Sequence, residues 1–97
     1  MNLPTQQLFE ANNQDVFEIT FDGINKNPCQ IKEISSSKSS MIDQEGQQFS
    51  VVFSTATTQV YEQGVYVVSH PKLGEFELFL VPVFGDEKGV HYEAVFT

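Results

Sequence analysis

GVYVVSHPKLGEFELFLVPVFGDEKGVHYEAVF, residues 64–96, decides the fold. Glu75 and Glu77 alternate with Phe76, Leu78 and Leu80, the period of two that marks a strand with one buried side. Gly64–His70 before it and Val90–Phe96 after it are rich in valine and aromatic residues. Pro71-Lys72-Leu73-Gly74 and Gly85-Asp86-Glu87-Lys88-Gly89 separate the three runs with turn chemistry. Three strands joined by short turns make an antiparallel meander. A four-residue loop between the first two sets His70 opposite Glu75 and Val67 opposite Leu78.

Working toward the N-terminus, Phe49, Val51 and Phe53 alternate with Ser50, Val52 and Ser54, which predicts a strand. Phe17, Ile19 and Phe21 alternate with Glu18 and Thr20 and predict another. Cys29–Ile34 reads as a weaker strand, preceded by turn residues from Asp22 to Pro28. Ser35–Gly46 reads as a polar loop, with Met41-Ile42 turned inward. Thr5–Ala11 makes a short helix in which Thr5 is placed to cap the N-terminus and Leu8 and Phe9 form a small apolar face. The expected architecture is all-β: a single antiparallel barrel or sandwich of five to seven strands with a short N-terminal helix. Residues 1–97 are read as one domain, the size expected for one core.

Composition narrows the function classes. Thirteen acidic residues stand against five lysines and no arginine, a formal charge of −8. Such a field repels a phosphate backbone, and no guanidinium is present for bidentate base contacts, so nucleic-acid binding is not expected. Nine Phe and three Tyr supply a core and argue against a disordered chain. The start MNLPTQQLFEANN lacks the basic and apolar segments of a signal peptide, and Leu78–Phe84 is too short to span a bilayer. The lone Cys29 has no disulfide partner within the chain. These features predict a cytoplasmic protein, with no membrane partner.

No catalytic, cofactor or metal motif stands out. The glycines follow turns rather than a phosphate-cradling loop, and there is no HExxH, CxxC or GxSxG. His70 beside Glu75 reads as a rim histidine in a hairpin salt bridge, His91 as structural or exposed, and Cys29 as a half-buried hydrophobe. The expected catalytic, cofactor and metal sets are therefore empty, and the chain is read as non-enzymatic.

Face assignment leaves one unexplained surface. Val65, Val67, Phe76, Leu78, Leu80, Tyr92, Ala94 and Phe96 fall on one side and form the core with Phe17, Ile19, Phe21, Phe49, Val51 and Phe53. Phe79, Val81 and Val83 fall on the other side of the fifth strand, together with Tyr66, Val68 and Val95. A half-exposed sheet would be polar there. The N-terminal helix, the serine loop or another protein must cover it. Phe79, Val81 and Val83, with Tyr66 as aromatic anchor, are the predicted contact surface for another protein or a second copy.

His70-Pro71-Lys72-Leu73-Gly74, Leu78-Phe79-Leu80-Val81-Pro82-Val83 and Tyr92-Glu93-Ala94-Val95-Phe96 resemble the ending of a family of small uncharacterised bacterial domains, HPxLG…LFLVPV…YEAVF. Phe49–Phe53 and Gln63–Tyr66 match the same pattern. The family is associated with phage-tail-collar-like genes, which implies a structural or accessory role, within a phage-like particle or beside it. The sequence therefore points first to an interaction module of such an assembly. A small acidic inhibitor or immunity-type protein against a basic partner is the alternative, and a ligand-binding or catalytic small barrel comes third.

Overall fold

A computed structural model of the chain describes residues 3–37 and 48–96. The expected inward turn of Met41-Ile42 lies outside the described residues. Helix α1 (Gln6–Ala11) precedes β1 (Val16–Thr20), β2 (Lys26–Ser37), β3 (Gln48–Thr55), β4 (Gly64–His70), β5 (Gly74–Asp86) and β6 (Gly89–Phe96). Every neighbouring pair is antiparallel, and the order β1-β2-β3-β6-β5-β4 closes on itself through β1 and β4. The all-β expectation holds, and a barrel rather than a sandwich satisfies it.

Closure demands curvature. β2 and β5 run for 12 and 13 residues, and each is bent by a bulge, at Ile31/Glu33 and at Pro82/Phe84. Pro82 has no N–H to give a ladder, and in a barrel without edges such a residue belongs beside a bulge. β2 extends beyond its expected limits at both ends. Lys26–Pro28 pair with Thr20–Glu18, and Ser35–Ser37 pair with Ser50–Gln48. The turn before β2 is consequently tighter than expected. Asp22 Oδ1 accepts from the N–H groups of Ile24 and Asn25, and these bonds hold the exposed carboxyl down at about 2.

In an eight-stranded barrel side chains already fill the interior, and six strands enclose less space. Phe17, Ile19, Val51, Phe53, Val68, Phe76, Leu80 and Tyr92 fill it here, each with under 2% of its surface accessible. Burial of side chains of this kind contributes about 1.5–3 kcal/mol each.

The chain then seals both ends with its own aromatic rings. At one end α1 inserts Phe9, whose ring centroid lies 5.4–6.4 Å from those of Phe17, Phe49, Phe53, Phe76 and Phe96. Thr5 Oγ1 caps the helix by accepting from Leu8 N, and Gln6 donates to Ser36 Oγ at 2.9 Å, which ties the plug to β2. At the other end the link from β3 to β4 must cross the barrel, because these strands sit opposite one another in the ring. Tyr61 on that link stacks on Phe21 at 4.3 Å, its N–H donates to Tyr92 Oη, and the Tyr92 hydroxyl donates to the carbonyl of Gln59.

The face assignment needs one correction. In β5 and β6, Phe76, Leu78, Leu80, Tyr92 and Ala94 point inward as expected. In β4 the phase is reversed: Val68 and His70 are buried and Tyr66 packs against the core, whereas Val65 is exposed and Val67 is half-buried. The cause is the turn. Gly74 adopts φ +84° and pairs with His70, so the loop has three residues, Tyr66 stands opposite Leu78, and Val67 opposite Glu77. A one-residue change of register exchanges the two faces of a strand.

Candidate interaction face

Of the side chains that could carry chemistry, His70 is engaged through both ring nitrogens. His70 is 4% exposed and lies opposite Gly74, so the expected pairing with Glu75 does not form. Its Nδ1 accepts from the backbone N–H groups of Lys72 and Leu73, and its Nε2 lies 2.9 Å from Asp15 Oδ2. Two donors at Nδ1 place the ring proton on Nε2, facing the carboxylate. The ring packs on Phe17 at 4.6 Å. His70 thus builds the β4–β5 turn and fastens to it the segment between α1 and β1. An open depression there, lined in part by Glu18, Lys26, Ser69 and Glu75, meets a histidine with both nitrogens occupied.

Cys29 is buried in β2, and burial, assisted by the nearby Glu18 charge, pushes its thiol up to about 12. A thiol so placed carries almost no thiolate at neutral pH. His91 is covered on the outer side of β6 by the Phe84 ring at 5.4 Å, and its Nδ1 has no hydrogen-bond partner among the described residues. No three His, Cys, Asp or Glu side chains among the described residues gather in a way that could hold a metal ion.

The outer face of β4, β5 and β6 is different. Val65, Phe79 and Val95 are 61%, 52% and 63% exposed. Val65 pairs directly with Phe79. The β5–β6 pairing begins at Val81 opposite Glu93, and Val95 lies just beyond it on the outward side of β6. Val83 and Phe84 extend the apolar surface past the bulge, where the extra residue lets two successive side chains reach solvent. Of the three covers expected, α1 does not serve, because Phe9 is committed to the end of the barrel and Leu8 is itself 43% exposed, and most of the serine loop lies outside the described residues.

Of the predicted contact residues, the structure brings together Phe79, Val81 and Val83, with Val81 half-buried. Tyr66 is not with them. Its ring faces inward, 4.9 Å from Phe21, and its hydroxyl donates to the carbonyl of Glu62. The reversed phase of β4 replaces it with Val65. Sequence reasoning also missed Phe84, although a proline within a strand paired on both sides signals the bulge that turns this residue outward.

A family model described as Domain of unknown function (DUF6916) matches residues 4–96. The chain belongs to that family. The match runs from the residue before the N-cap of α1 to the last residue of β6, so the plug, the barrel and the outer apolar face all lie within the DUF6916 domain. No curated protein and no solved structure matches the chain. No helix among the described residues is long and apolar enough to cross a membrane.

Proposed function

We propose that this domain is a non-enzymatic interaction module that docks onto another protein through the outer face of β4, β5 and β6. One observation carries the reading. The interior is filled by its own aromatic and aliphatic residues, yet Val65, Phe79, Val83, Phe84 and Val95 remain on the outside of adjacent strands. Contiguous exposed apolar surface of this kind marks contact sites on otherwise polar monomers. A filled barrel also counts against a ligand held in the lumen. The association of similar domains with phage-tail-collar-like genes makes a phage-tail-like particle the kind of assembly this reading favours.

The double variant Phe79→Ser/Val95→Ser tests it. Both residues are more than half exposed, so its melting curve should stay within about 1 kcal/mol of the parent. Affinity capture from cells that express the protein naturally should recover a defined partner with the parent chain and lose it with the double variant. Equal recovery by both chains would refute the docking face.

A further inference from the structure

We propose, resting on that reading, that the β4–β6 face takes a partner whose apolar ridge is bordered by lysine or arginine, and that it rejects a second copy of this chain. The face itself is an outer sheet surface, so recognition there comes from side chains rather than from backbone groups. Those side chains have one sign. Residues 64–70, 74–86 and 89–96 contain Glu75, Glu77, Asp86 and Glu93 and no lysine or arginine. Glu75 and Glu77 are exposed and share the outward side of β5 with Phe79. Glu93 stands beside Val81 on β6. On β3 the neighbours of Val95 and Glu93 are Ser50 and Val52, which bring no charge, and on the β1 side Glu18 and Lys26, one charge of each sign, share the depression beside Glu75. Lys72 and Lys88 lie in the β4–β5 and β5–β6 turns, at opposite ends of the barrel.

A two-fold contact between copies sets the same patch against itself. Burying Phe79 against Phe79 would bring the acidic side chains of one copy, Glu77 and Glu93 among them, close to those of the other and strip water from like charges, an arrangement that suppresses pairing. A ridge bordered by lysine or arginine reverses that sign, and the methylene stems of those residues add apolar cover. The charge pattern therefore selects the partner, and the Val65–Phe79 pair, with Val95 exposed on β6, supplies the contact.

A charge-reversed copy of the chain is a probe with the required chemistry. Glu77→Lys/Glu93→Lys keeps the apolar residues and gives them a basic border; Glu75→Lys/Glu77→Lys, altering only exposed positions, serves if the first fails to fold. In sedimentation at low salt, the parent alone and the variant alone should each remain monomeric. Their equimolar mixture should associate, with the apparent mass approaching twice that of either chain. Added salt should weaken the association, and Phe79→Ser in either copy should abolish it. A parent chain that dimerises alone and is dispersed by Phe79→Ser would overturn the partner class while leaving the docking face intact. A mixture that stays monomeric, with both chains folded, would also overturn the proposed class. Association indifferent to Phe79→Ser would overturn the face itself.

Discussion

Phe9→Ala should destabilise the barrel by about 3–5 kcal/mol, the usual cost of removing a fully buried phenylalanine ring. Phe9 has no accessible surface, and five phenylalanine rings surround it. Its loss opens the end of the barrel, and a six-residue helix with one buried side chain cannot collapse to refill the space. Small domains have about 5–15 kcal/mol of total stability, so the variant should approach the limit of folding. Urea and thermal melts measure the effect, with about 4–8 °C of melting temperature lost per kcal/mol. Leu8→Ala, on the exposed side of the same helix turn, should change stability by about 0.5 kcal/mol or less. Equal melts for the two variants would show that α1 does not plug the barrel.

Gly89→Ala should cost about 3 kcal/mol or more, through backbone strain and lost hydrogen bonds. Gly89 has φ +152°, and a Cβ there would sit 1.8 Å from the carbonyl oxygen of Thr55 and 3.1 Å from Cα of Ala56. These are backbone atoms that cannot swing aside. The β5–β6 hairpin would have to lift from the end of β3, where Thr55 Oγ1 donates to Val90 O at 2.8 Å and Val90 N donates to Thr57 O at 3.1 Å. Gly85→Ala in the same hairpin supplies the control. Its Cβ would meet Val90 Cγ2 at an ordinary 3.5 Å, so its melt should differ by about 0.5 kcal/mol at most.

The two sites also show what could and could not be read from the chain. β5 was readable because its faces differ in chemistry: Glu75 and Glu77 reject the interior that Phe76, Leu78 and Leu80 require. β4 was not, because Val65, Tyr66, Val67 and Val68 suit either face and hydrophobicity sets no phase. The phase came from the His70 ring holding the N–H groups of Lys72 and Leu73, with Gly74 in the left-handed region, a detail of turn geometry rather than of composition. Phe9 was readable as the apolar side of a helix, but its destination depends on closure between β1 and β4, which are separated in sequence by β2 and β3. Tyr61 lies in a link with no periodicity, and only the crossing from β3 to β4 makes it a lid. The apolar excess on β5 was legible, and so was the need for something to cover it. Tyr66 was misplaced for the same reason as the rest of β4.

The central claim is that the exposed apolar residues on the outer face of β4, β5 and β6 are a surface awaiting a partner rather than part of the core. Side-chain NMR with a soluble paramagnetic agent tests it most directly, first on the free domain and then on its complex with the captured native partner. In the free domain the methyl signals of Val65 and Val95 and the ring signals of Phe79 should broaden strongly, while Val51 and Val68, with no accessible surface, should stay sharp. In the complex the first group should become as protected as the second. Signals of Val65, Phe79 and Val95 that are already protected in the free monomer, or that broaden equally in the complex, would contradict the account.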